Sequence, residues 1–128
     1  MSDKKVFFAD DSKTMREEVQ DSLFRLGISE IKMAENGKQA VELLKAEALY
    51  DHPFDLILLD INMPGFTGIQ VLKILRTIKA YEDTPVLMIS TENEKEIVLE
   101  AIVSGANDYI LKPFDFEVFK QKTSKYLS

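Results

Sequence analysis

The stretch Leu56-Ile57-Leu58-Leu59-Asp60-Ile61-Asn62-Met63-Pro64-Gly65 decides the fold. Apolar residues stand in an unbroken row, a carboxylate closes them, and turn formers follow. A strand with one wet face alternates polar with apolar residues. A short run that is apolar at every position is covered on both faces, as in a parallel sheet between helical layers. Val86-Leu87-Met88-Ile89, closed by Ser90, has the same form. Outward from these two, Val6-Phe7-Phe8-Ala9, Ile31 to Ala34 and Tyr109-Ile110-Leu111 supply further strands.

The segments between the runs carry helical spacing. The first offers Ser12 as N-cap, then Met15, Val19, Leu23 and Leu26, and stops at Gly27. The second runs from about Gly37 to Leu49 and the third from about Thr67 to Lys79. The fourth carries Ile97, Val98, Ala101 and Ile102 before Gly105, with Thr91 and Glu94 as its capping box. The fifth follows Asp115 as N-cap and turns Phe116, Phe119 and Leu127 inward. Strands alternating with helices through right-handed crossovers predict an α/β, doubly wound, five-stranded parallel sheet with five helices, as a single domain over residues 1–128.

Composition narrows the function. The 128 residues include 22 acidic and 16 basic ones, a formal charge of −6, which argues against a domain that grips nucleic acid through its phosphates. Lys120, Lys122 and Lys125 read as a solvated helix face. The absence of cysteine excludes disulfides, thiolate metal sites and cysteine nucleophiles, and suits a cytoplasmic address. No apolar run approaches the length of a membrane span or signal peptide. The single His52 sits in a Tyr-Asp-His-Pro loop and reads as a surface residue.

Doubly wound sheets bind ligands at the carboxyl ends of their strands. Here strand one ends in Asp10-Asp11, strand three in Asp60, strand four in Ser90 and strand five in Lys112-Pro113. Taken singly, Asp11 or Ser12 can cap a helix, Asp60 and Asn62 can make a turn, and Lys112 can be solvated. Taken together they place three carboxylates, a hydroxyl and an ammonium on one edge. Like-charge repulsion there amounts to a few kcal/mol per close pair at a screened dielectric of about 20, so a divalent cation is the natural further party. A hard, oxygen-lined site suits Mg2+.

The motifs Phe8-Ala9-Asp10-Asp11-Ser12, Leu58-Leu59-Asp60-Ile61-Asn62-Met63-Pro64-Gly65, Ile89-Ser90, Gly105-Ala106 and Tyr109-Ile110-Leu111-Lys112-Pro113-Phe114 resemble those of the response regulator receiver domains of two-component signalling. The resemblance covers essentially the whole chain and implies a flavodoxin-like receiver fold with strand order 2-1-3-4-5. It implies that Asp60 is the phosphoacceptor, taking a phosphoryl group from a histidine kinase. Asp10, Asp11, Asp60 and the backbone carbonyl of Asn62 would hold Mg2+, while Lys112 and Ser90 would contact the phosphoryl oxygens. Pro113 would follow a cis peptide. Ser90 and Tyr109 would form the switch, and Asn62, Thr91 and Glu92 would tune phosphoryl gain and loss. Asn62 and Glu92 are the pair found in chemotaxis receivers, which points to chemotaxis or motility, with the flagellar motor switch as one candidate target and a phosphatase as a further partner. Thr91 stands where alanine or glycine is commoner and narrows access to Asp60.

A flavodoxin-like enzyme is one alternative, but its flavin phosphate would meet Asp10-Asp11. An aspartyl-phosphate phosphatase needs a second Asp two residues after the nucleophile, where this chain has Asn62. A degenerate receiver lacks residues that are all present here. A receiver excised from a longer regulator is a further alternative; the start at Met1 and end at Leu127-Ser128 favour a stand-alone protein whose output is protein binding. A monomer is expected.

Overall fold

The computed structural model describes residues 3–50 and 53–127. The elements run β1 (Lys5–Ala9), α1 (Lys13–Arg25), β2 (Glu30–Ala34), α2 (Gly37–Glu47), β3 (Leu56–Leu59), α3 (Gly68–Leu75), a 3-10 turn (Lys79–Tyr81), β4 (Val86–Ser90), α4 (Lys95–Val103), β5 (Asp108–Leu111) and α5 (Phe116–Leu127). All strand pairs are parallel and their order is β2-β1-β3-β4-β5, the doubly wound topology expected.

The period-2 alternation of strand side chains sorts the core into two layers. Phe7, Ala9, Ile57, Leu59, Val86 and Met88 face α2, α3 and α4, packing with Ala40, Leu44, Val71, Leu72 and Ala101. Val6, Phe8, Leu56, Leu58, Leu87, Ile89 and Ile110 face α1 and α5, packing with Val19, Leu23, Phe119 and Leu127. Every residue of β3 and β4 is buried, as their unbroken apolar runs require.

The helix signals hold in part. The Ser12 hydroxyl accepts from Met15 N at 3.2 Å, Asp115 accepts from Val118 N at 2.9 Å, and Gly27 ends the first helical segment at φ 85°. The expected Thr91/Glu94 box is corrected: α4 starts at Lys95, its N-cap is Glu94 without a side-chain cap, and Thr91 lies too far upstream to reach the first turn. The capping box belongs to α3, between Thr67 and Gln70. That helix also ends earlier than its spacing predicts. Ile78 turns extended and Tyr81 dives into the core, its hydroxyl donating to Leu44 O, which pulls residues 79–81 into a separate turn. The second helix stops at Glu47, whose buried carboxylate ties Lys5 to Lys32 at 2.7 and 3.1 Å.

Candidate functional site

Parallel register builds the site. Ala9 pairs with Leu59, so the residues that follow, Asp10 and Asp60, leave neighbouring strands side by side. Asp60 N donates to Ala9 O at 3.0 Å and Asp10 N to Ala34 O at 3.1 Å, extending the ladder past the strand ends. Ser90 pairs with Leu111, and Lys112 N donates to Ser90 O at 2.9 Å, bringing hydroxyl and ammonium to the same edge. Asp10 is fully buried, Asp60 is 5% exposed, and Asp11 stands in solvent. One carboxylate oxygen from each of Asp10, Asp11 and Asp60 lies within 4.8 Å of the others.

The cation of this cluster is not shared evenly. Lys112 Nζ lies 2.6 Å from Asp10 Oδ2 but 3.4 Å from Asp60 Oδ2. Asp10 Oδ1 also accepts from Ser12 N at 2.9 Å, so Asp10 is well compensated. Asp60 is not: burial first, and the Asp10 charge second, push its carboxyl above the ordinary aspartate range, against the pull of Lys112 and a hydrogen bond from Ser90. Three acidic oxygens against one ammonium leave negative charge that a hard divalent cation satisfies, so the donor set fits Mg2+.

The rim joins two loops. Asn62 Nδ2 donates to Glu92 Oε1 at 3.0 Å, linking the β3–α3 and β4–α4 connections. The backbone N–H of Glu92 donates to Ser90 Oγ at 3.3 Å, and the Tyr109 hydroxyl donates to Glu92 O at 2.6 Å. Tyr109 is therefore turned inward, 8% exposed, and burial pushes its hydroxyl pKa up. The Lys112–Pro113 peptide is cis. Thr91 follows buried Ser90 but is itself exposed at the rim. Thr91→Ala is expected to change the rates of labelling by acetyl phosphate and of label loss without changing Mg2+ affinity, because by the family resemblance the side chain would narrow the approach to Asp60 while Thr91 is not among the groups that would hold Mg2+. Time courses by intact mass, set beside a Mg2+ titration, check this; equal rates would refute the gate.

Residues 6–124 match the family model described as the response regulator receiver domain. The chain belongs to the response regulator receiver domain family. The receiver is 37% identical over 123 residues to the chemotaxis protein CheY homolog of Campylobacter jejuni strain 81-176, covering 96% of this chain and 92% of that protein. It is 37% identical over 118 residues to chemotaxis protein CheY1 of Helicobacter pylori strain 26695, covering 92% of each. Among solved structures, Vibrio cholerae CheY4 superposes with a TM-score of 0.84 at 32% identity, covering 96% of this chain and 98% of that one. The CheX-CheY-BeF3-Mg complex of Borrelia burgdorferi matches with a TM-score of 0.88 at 26% identity, covering 98% and 90%.

The receiver's sheet edge thus gathers Asp10, Asp11, Asp60, Ser90 and Lys112, with Asn62, Glu92 and Tyr109 around them. His52 lies outside the described residues. The lysine trio is corrected in one member: Lys122 Nζ donates to Tyr109 O and lies 3.2 Å from Asp108 Oδ1, bracing β5 from α5, while Lys120 and Lys125 are exposed. Sequence reasoning also missed Arg16, whose guanidinium donates to Asp10 O at 2.7 Å. Its position one turn after Ser12 was the only available signal, and any solvated arginine of α1 could share it.

Proposed function

We propose that this receiver is a phosphoacceptor of chemotaxis signalling, one domain over residues 1–128, working as a cytoplasmic monomer. The observation that carries the reading is the undercompensated Asp60 carboxylate, set between Asp10 and Lys112 at the sheet edge. In the reaction, an Asp60 oxygen attacks the phosphorus of a kinase phosphohistidine. The P–N bond breaks, the pair leaves with the imidazole, and Asp60 becomes an acyl phosphate. Water later attacks the same phosphorus, releasing phosphate and restoring the carboxylate, so the chain catalyses its own dephosphorylation without turning over a separate substrate. Lys112 and Ser90 would receive the phosphoryl oxygens, and the 2.6 Å ion pair with Asp10 would hold Lys112 in position. Mg2+ bound by Asp10, Asp11, Asp60 and the Asn62 carbonyl would neutralise the charge carried by the transferring group. The Borrelia relative, solved with BeF3 and Mg, supports that assignment.

Incubation with acetyl phosphate and Mg2+, read by intact mass, tests the reading. One added phosphoryl group that disappears with time and fails to form when Mg2+ is chelated is expected; no added mass would overturn it.

The partner-facing surface we assign to α4, β5 and α5, where Leu99, Ile102, Val103, Leu111 and Val118 are exposed. Ser90 opens the segment into α4 and Lys112 closes β5, so both phosphoryl-contacting groups bear on this face, with Tyr109 between them. Names of relatives support a chemotaxis target, with the flagellar motor switch and a phosphatase as candidate partners. A target that prefers the active state about tenfold gains ~1.4 kcal/mol. Tyr109→Ala is expected to accept the phosphoryl group yet lose most of that gain, measured by titrating the target with and without beryllofluoride. An unchanged gain would refute this output model.

A further inference from the structure

Gly37 opens α2, directly after the N-cap Asn36, and it is buried. Its φ is not among the positive ones, so backbone conformation does not demand glycine here. Space does. A Cβ at this position would stand 1.9 Å from Phe66 O, 2.6 Å from Phe66 C and 2.8 Å from Phe66 Cα, all backbone atoms that no rotamer change can move. Gly37 N donates to Pro64 O at 3.1 Å, and a Cβ on Gly65 would meet Lys38 N at 3.5 Å. Residues 64–66 therefore lie directly against the first turn of α2.

Those residues are the far half of the loop that begins at Asp60. Its near half is gripped at α3: Gly68 N donates to Ile61 O at 2.8 Å, and a Cβ on Gly68 would stand 2.0 Å from Asp60 O. Ile61 and Met63 are buried between these two supports. The loop is thus held from both ends, by α3 behind Asp60 and by α2 beyond Asn62.

We infer that Gly37 is a positioning residue for the cation site: the first turn of α2 is the seat on which the β3–α3 loop rests, and that seat sets where the Asn62 carbonyl and the Asp60 carboxylate stand relative to Asp10 and Asp11. The inference rests on the proposed Mg2+ site. It adds a residue from outside the loop that touches neither metal nor phosphoryl group and acts through Pro64 and Phe66. A glycine serving only its own helix would behave otherwise. At an ordinary helical φ, alanine has the higher helix propensity and a less flexible unfolded chain, so Gly37→Ala would then stabilise the protein.

The test compares wild type, Gly37→Ala, Gly27→Ala and Asn36→Ala. Mg2+ alone is titrated calorimetrically, and Tm is read by circular dichroism without Mg2+. Gly37→Ala is expected to bind Mg2+ about tenfold more weakly, the scale on which supporting contacts around a metal act, with no rise in Tm. Gly27→Ala strains a positive φ far from the loop, with nothing within 4 Å, and is expected to lower Tm while keeping wild-type Mg2+ affinity. A folded Gly37→Ala with unchanged Mg2+ affinity overturns the inference. If that variant does not fold, Asn36→Ala decides, since it removes the 2.8 Å cap to Gln39 N and loosens the same turn without adding an atom. Weaker Mg2+ binding in Asn36→Ala supports the seat, and unchanged binding overturns it. A wild type that binds no Mg2+ overturns the cation site itself, an outcome distinct from failure at Gly37.

Discussion

Asp60→Asn is expected to abolish phosphoryl labelling altogether while the chain stays folded. An amide is no nucleophile toward phosphorus, Asp10 is already engaged by Lys112 and by Ser12 N, and Asp11 is exposed where Asp60 is buried. The same variant carries a stability signature of predictable sign. The folded state raises the Asp60 pKa, so this carboxyl holds its proton more tightly when folded than when unfolded. Its contribution to stability is fully present below the unfolded pKa and is lost as pH rises through the folded value. At pH 7 without divalent cation the ionised group therefore weighs against folding, and Asp60→Asn should melt at a higher temperature than wild type. The difference should narrow below about pH 4, where aspartate is protonated even in the unfolded chain. Intact mass and melting curves across pH check both halves. Labelling of the variant at the wild-type rate would overturn the assignment of Asp60, and a lower Tm at pH 7 would overturn its electrostatic account.

Arg76→Ala is expected to cause a large loss of stability although it lies away from the site and outside the apolar core. Arg76 is the C-cap residue of α3, and its guanidinium donates to Tyr81 O and Thr84 O at 2.7 Å, to Gly105 O at 3.2 and 2.7 Å, and to Asn107 Oδ1 at 3.1 Å. It thereby joins α3, the turn before β4 and the connection from α4 to β5. Burial lowers its pKa, as befits a guanidinium that is partly buried against these carbonyls. Truncation strands several acceptors at roughly 1–3 kcal/mol for each one left dry, of which water entry recovers part. A net cost of about 3 kcal/mol, near 10 °C in Tm for a domain of this size, is the expected result. Arg76→Lys should recover less than half, because one ammonium cannot span acceptors laid out for a planar fork. Thermal melts at fixed pH decide; a shift of under about 3 °C for Arg76→Ala would show that the network does not act as a unit.

The two networks differ in how far they could be read beforehand. The edge cluster was legible because each of its members directly follows an apolar run: Asp10 after Phe7-Phe8-Ala9, Asp60 after Leu58-Leu59, Ser90 after Met88-Ile89, Lys112 after Ile110-Leu111. Arg76 was not, since it lies inside a stretch whose helical spacing continues past it through Ile78. The early end of α3 follows from burial of Tyr81, a contact with α2 that no window around residue 76 contains. The misplaced cap at Thr91 has the same origin: Thr-x-x-Glu is a local pattern, but where α4 starts depends on how far β4 runs, and β4 runs through Ser90 because it pairs with β5.

The sequence by itself determined the order of elements, the parallel doubly wound class, the two-sided burial of β3 and β4, and the residues that would meet at the carboxyl edge. These are periodic or adjacent properties: side-chain direction repeats every two residues in a strand and every 3.6 in a helix, and the residue after a strand must emerge at its end. Only the tertiary structure decided that Lys112 sits nearer Asp10 than Asp60, that Tyr109 is turned inward onto Glu92 O, and that α2 presents Gly37 to the loop bearing Asn62. Each joins residues far apart in the chain at a separation of a few ångströms. Such distances are set by strand register and by the packing of helices over the sheet, which no local pattern encodes.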